Sequence, residues 1–114
     1  MMLIYVAGPL SAPTPALQRR NVEAALEAGR QILLRGHAPL IPHLSHWFDE
    51  WHHRSRGHSL AYEQYLAWDF ELLRRCEALL YLGASPGADR ELAEARRMGL
   101  VVWRSVEAIP EIRR

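Results

Sequence analysis

The sequence predicts an α/β fold in three layers, α/β/α, around a parallel sheet of four to five strands. Short, wholly apolar runs recur, among them Met2-Leu3-Ile4-Tyr5-Val6-Ala7 and Ala78-Leu79-Leu80-Tyr81-Leu82. Strands apolar on both faces are what a parallel sheet buries. Longer amphipathic segments stand between the runs. The two kinds alternate as β-α-β-(loop)-α-β-α-β, the order that wraps helices over both faces of a parallel sheet. The arrangement is flavodoxin- or Rossmann-like.

The elements follow in order. The first strand ends at Gly8-Pro9, and a loop with three prolines leads to Pro15. From Pro15 to Arg35, Leu17, Val22, Ala25, Leu26, Ile32 and Leu33 mark an amphipathic helix, closed by Gly36. His37 to Pro42 is a second strand, short and suited to an edge because it holds two prolines. His43 to Ser59 has no clear period and reads as a loop with a function, since Trp47, Phe48 and Trp51 argue against disorder. Leu60 to Arg75 is helical, and Glu77 to Leu82 is the third strand. Ser85 caps the next helix, Pro86 takes its first position, and the helix runs to Met98 before Gly99. Leu100 to Trp103 is the fourth strand, and Ser105 to Arg114 is a tail with one helical turn.

Composition bounds the rest. The 114 residues suit one domain, 1–114, with a modest core that homo-oligomerisation would extend. The net charge of +1 excludes a strong pull toward nucleic acid or a membrane, and no signal segment or membrane-length apolar run occurs. The single cysteine, Cys76, permits no internal disulfide, suits a reducing cytoplasm and reads as a buried structural thiol. No cofactor motif is present. Gly8 lacks the partners of a phosphate loop or a dinucleotide fingerprint. Five of the six histidines fall between His43 and Ser59, yet no cysteine or histidine–glutamate helix motif supports a metal site. They read as a pocket wall or a surface loop.

In such sheets ligands bind beyond the carboxyl ends of the strands, at the switch in strand order. That rule gathers Gly8–Ser11, Pro42–Trp47 and Gly83–Glu91 at one mouth. Glu91 lies early in its helix, and Gly87 leaves the first turn open for an anion. Asp69 is an acid among Ala67, Trp68 and Phe70. Two carboxylates in one cleft serve glycosidic cleavage by a covalent route, one as nucleophile and one as proton donor. The plain alternatives are a solvated Glu91 and a surface Asp69, each paired with arginine. Trp47 suits stacking on a flat base, or packing.

Three stretches together resemble the nucleoside 2-deoxyribosyltransferase superfamily: Tyr5-Val6-Ala7-Gly8-Pro9, Tyr65-Leu66-Ala67-Trp68-Asp69, and Ser85-Pro86-Gly87-Ala88 leading to Glu91 and Ala95. The chain is most similar to its short members and to the nucleoside 5′-monophosphate N-glycosidases. The resemblance implies that Glu91 is the nucleophile and Asp69 the acid on the departing base. It also implies that Tyr5 and Gly8 line the sugar pocket, and that Ser85 and Gly87 hold the 5′ end. Pro9, His43 and Trp47 are expected beside the substrate. A serine at position 85, where transferases of free nucleosides carry aspartate, moves the expected substrate toward a nucleotide. The expected protein is thus a cytoplasmic homodimer or higher homo-oligomer, without metal or cofactor, that cleaves or exchanges the base of a nucleotide or nucleoside. A nucleotide-binding module or sensor without turnover, or an interaction scaffold, are the alternatives.

Overall fold

A computed structural model describes residues 1–112. It holds strands β1 (Leu3–Ala7), β2 (Ala38–Leu40), β3 (Ala78–Tyr81) and β4 (Val101–Trp103), with helices α1 (Pro15–Leu34), α2 (Ser45–Arg56), α3 (Tyr62–Leu73) and α4 (Pro86–Arg97). One-turn 3-10 segments occupy Pro42–Leu44 and Val106–Ala108. The strands form one parallel sheet in the order β2-β1-β3-β4. The three-residue strands β2 and β4 are its edges, as the two prolines near β2 predict.

The alternation of side chains along β1 sorts the core into two layers. Ile4 and Val6 face Ala25, Ala28 and Ile32 of α1, together with Ala78, Leu80 and Ile109. Tyr5 and Ala7 face the other way, toward Leu73 of α3 and Ala88, Leu92 and Ala95 of α4. The chain leaves β1 in one direction to build β2 and in the other to build β3 and β4. The switch in strand order therefore falls between β1 and β3, where ligands are expected. There the strands close tightly: the Leu82 N–H donates to the Ala7 carbonyl at 2.7 Å. A Cβ on Gly8 would stand 3.0 Å from Leu82 Cβ, so the smallest residue is needed.

Two expectations are corrected. The stretch from His43 to Ser59 is not a loop: Ser45–Arg56 is the helix α2, ended by Gly57 at φ 79°. It has no buried residue, so no face of it is marked by an apolar stripe. It leans on α3 through an edge-to-face contact of Phe48 with Trp68. The C-terminal segment, whose last two residues lie outside those described, has the expected turn of helix at Val106–Ala108 but is more than a tail. Ile109 is 1% exposed, and the Arg35 guanidinium donates to its carbonyl at 2.9 Å. His37 Nδ1 accepts from the Met2 N–H, and its Nε2 lies 2.6 Å from the Pro110 carbonyl. A carbonyl only accepts, so Nε2 carries the proton and His37 bridges both ends of the chain.

Ile109→Ala is therefore expected to destabilise the protein by about 2–4 kcal/mol, as a core truncation does. Urea unfolding measures it; a midpoint equal to wild type would show that the segment merely rests on the surface.

Candidate functional site

A cavity of about 500 Å³ opens at the carboxyl ends of β1 and β3. Gly8, Leu10, Ser11 and Gln18 come from the end of β1 and the start of α1, and His43, Ser45, His46 and Asp49 from the segment after β2 and from α2. Tyr62, Tyr65, Leu66 and Asp69 come from α3, and Ser85, Gly87, Ala88 and Glu91 from the start of α4. The α3 residues stand at i, i+3, i+4 and i+7, one stripe of a helix.

Glu91 is 5% exposed, in the second turn of α4. The hydroxyl of Tyr5, itself fully buried on β1, donates to Glu91 Oε2. Burial pushes the Glu91 carboxyl up to about 8; the hydrogen bond from Tyr5 opposes the rise and the charge of Asp69 adds to it. Burial alone raises Asp69, to about 7. Burial and both carboxylates drive the Tyr5 phenol far above its usual range, so it remains a donor. Asp69 acts on both Tyr5 and Glu91, and Glu91 acts on Tyr5, which links the three groups.

His43 is 3% exposed, and its Nε2 lies 3.1 Å and 3.2 Å from the carbonyls of Gly8 and Pro9. Nε2 therefore carries the proton, which leaves Nδ1 a buried acceptor without a partner among the described residues. Desolvation lowers the pKa of the ring and keeps it neutral, against the two carbonyl contacts, which raise it.

At the start of α4 the Ser85 hydroxyl accepts from the Ala88 N–H at 3.0 Å, and the Ser85 carbonyl accepts from the Asp89 N–H at 2.8 Å. Pro86 has no N–H. Gly87 alone keeps a backbone donor there, and the Tyr62 hydroxyl stands 3.3 Å from where a Cβ on Gly87 would lie.

Of the expected site residues, Gly8, His43, Asp69, Ser85, Gly87 and Glu91 line this cavity. Tyr5 does not; it lies beneath the cavity and acts through Glu91. Pro9 does not line it either, and contributes a carbonyl to His43. Trp47 is 51% exposed and outside the lining, because the cavity side of α2 is taken by Ser45, His46 and Asp49 and the next residue turns about 100° away. Trp68 and Phe70 flank Asp69 in sequence and point elsewhere for the same reason. Trp68 stacks on Tyr65, and Phe70 packs against the α3–α4 core. Leu66 is the apolar neighbour of Asp69 that does line the cavity.

Asp49 was not foreseen, nor were the cavity roles of Tyr62 and Tyr65, whereas His46 lay among the histidines read as a pocket wall or a surface loop. The Tyr65 hydroxyl donates to Asp49 Oδ1 at 2.7 Å, and the Ser59 hydroxyl approaches Oδ2 at 3.4 Å. Spacing would have found Asp49 had 45–56 been read as a helix, since Ser45 and Asp49 stand at i, i+4. Among the described residues no three His, Cys, Asp or Glu side chains form a group able to hold a metal. Cys76 is buried; its thiol, pushed up to about 11, donates to the Leu72 carbonyl. No helix among the described residues is long and apolar enough to cross a membrane.

Residues 2–105 match the family described as Domain of unknown function (DUF7768), and the chain belongs to that family. No curated protein matches the chain.

The raised carboxyls have a consequence for stability. An ordinary glutamate titrates near 4.5, and Glu91 near 8. Folding tolerates its neutral form, so the stabilisation is full below the ordinary value and is lost as pH rises toward 8. Glu91→Gln keeps a neutral, hydrogen-bonding side chain and removes that loss. The variant is expected to exceed wild type by about 2–4 kcal/mol above pH 8 and to match it near pH 4. Urea titrations at both pH values measure the difference; parallel stability curves would refute the raised pKa.

Proposed function

We propose that this cavity cleaves the N-glycosidic bond of a nucleoside, by hydrolysis or base exchange, through a glycosyl ester on Glu91. The observation that carries the reading is that Glu91 and Asp69 line one cavity, with the charge of Asp69 raising Glu91 and Tyr5 donating to Glu91. A Glu91 oxygen attacks the anomeric carbon. The bond to the base nitrogen breaks, its electron pair stays on the base, and Asp69 delivers a proton there. Asp69 then accepts a proton from water or a second base as that group attacks the same carbon and frees the carboxylate of Glu91. The step needs one proton on the pair, held by Asp69, although Glu91, near 8, holds a proton more tightly than Asp69, near 7. The hydrogen bond from Tyr5 narrows that gap because it stabilises an ionised Glu91. The resemblance to the nucleoside 2-deoxyribosyltransferase superfamily supports the same roles.

The electrostatics favour an uncharged nucleoside over its 5′-phosphate. Asp49, Asp69 and Glu91 line the cavity, and no arginine does among the described residues. The first turn of α4 keeps one free N–H, too few for the nest of donors that phosphate sites use. Ser85 is occupied as a helix cap. The reading includes the expected homo-oligomer, in which a second copy would cover the half-exposed face of Trp47, Phe48, Trp51 and Trp68.

Release of free base from a panel of nucleosides and their 5′-monophosphates, followed by chromatography, tests the proposal. Nucleosides are expected to react faster, and Glu91→Ala to lose about 10³-fold or more. With groups near 7 and 8, kcat/KM is expected to peak where the pair holds one proton. Tyr5→Phe removes the bond that lowers Glu91, the group near 8, and should move the alkaline limb to higher pH and lower the peak. Absence of base release from every substrate, or a Glu91→Ala protein as active as wild type, would end the reading. A second reading, binding without turnover, draws on burial holding Glu91 protonated at neutral pH. Calorimetry supports it if a nucleoside binds and stays intact from acid to alkaline pH.

A further inference from the structure

Asp49 is a third carboxylate in the cavity, and the glycosidic step leaves it without a task. Its place is held by two donors from different elements: the Tyr65 hydroxyl at 2.7 Å from α3, and the Ser59 hydroxyl at 3.4 Å from the α2–α3 connection. Tyr65 is pushed up to about 12 by burial and by Asp49, so its hydroxyl keeps its proton and keeps donating. Each donor takes one lone pair. A carboxylate oxygen accepts more than one hydrogen bond, so each oxygen retains capacity toward the cavity.

The position relative to Asp69 gives that capacity a direction. Tyr65 and Asp69 stand at i, i+4 on the same stripe of α3, about 6 Å apart along the helix. A base protonated by Asp69 lies against this stripe, and Asp49 borders the stripe one turn toward its N-terminus. A planar base thus meets a proton donor at one atom of its edge and a fixed acceptor further along the same edge. A purine with an amino group at position 6 presents that pair, the N7 acceptor beside an N–H donor. A purine with an oxygen at position 6 presents two acceptors, and its oxygen would face the Asp49 carboxylate with no proton between them.

We propose that Asp49, held by Tyr65 and Ser59, is the residue that makes this cavity select amino-bearing bases over their oxo counterparts. The inference rests on the glycosidic reading above. An acceptor that a bound base shields from water and leaves facing another acceptor loses its hydrogen bond and is penalised as well, which is how polar sites reject a near-isostere.

Adenosine and inosine, with their 2′-deoxy forms, test it because they differ in this group. For wild type, kcat/KM is expected to favour the amino substrate by about 10- to 100-fold. Asp49→Asn, whose amide can donate, should cut the ratio to about one or invert it. Tyr65→Phe, which frees Asp49 to rotate, should lower the ratio part of the way and serves if the first variant does not fold. Calorimetry with free adenine and free hypoxanthine gives the same comparison without turnover. If wild type cleaves both substrates and neither variant moves the ratio, Asp49 does not select the base, and the glycosidic reading stands. If wild type cleaves neither and binds neither base, both proposals fall.

Discussion

Glu91 stands where a carboxyl is hardest to keep, 5% exposed at the inner end of a cavity. The hydroxyl of Tyr5 is what makes it tolerable, since a buried carboxyl without a partner is strongly disfavoured. That single bond joins β1, the strand from which the sheet is built in both directions, to the helix that follows β3. Much of the local architecture serves the closeness it needs. Ala88 and Ala95 put small side chains where α4 meets the sheet. Gly8 lets β1 and β3 end against each other beneath the cavity. Ser85 caps α4 and sets where its first turn begins, and so where its second turn points Glu91.

Asp69 and Glu91 differ in surroundings more than in burial. The first is raised by desolvation alone, while the second receives a hydrogen bond that opposes the same desolvation. Two coupled acids do not titrate independently, and the donor narrows the margin by which Glu91, near 8, holds its proton more tightly than Asp69, near 7. His43 adds no charge to this balance, because it is buried, neutral and pinned to the carbonyls of Gly8 and Pro9.

The parallel sheet, its four strands and three of its helices were legible because their apolar residues meet a buried surface with a regular period. Helix α2 was not, because it buries nothing. Its side chains answer to a cavity on one side and solvent on the other, and neither imposes an apolar stripe. The same silence hid Asp49 and sent the stacking expectation to Trp47. Ile109 was missed for another reason: one isoleucine between a turn and Pro110 has no period at all, and its burial is set by contacts with α1 and β1 from the far end of the chain. The rule on strand ends gathered Ser85, Gly87 and Glu91 at one mouth, and they line one cavity, which Asp69, outside the reach of that rule, lines as well. Tyr5 was expected in the wall of the cavity from the resemblance, and lies beneath it.

The site is built from two materials. Its floor is Tyr5, Glu91 and the ends of β1 and β3, part of the buried core and held by sheet hydrogen bonds. Its outer wall is α2 with the cavity stripe of α3, half-exposed, joined by aromatic edges and by the bonds that Tyr65 and Ser59 give to Asp49. A floor fixed by the fold suits bond cleavage, which needs reacting groups held to a fraction of an ångström. A wall with little buried surface can change side chains without disturbing the core, because such substitutions remove few packing contacts. On the proposed reading the chemistry would be tied to the fold itself. The choice of substrate would rest on a helix with no buried residue, so that Asp49 could be varied while Glu91 could not be replaced without loss of the proposed reaction.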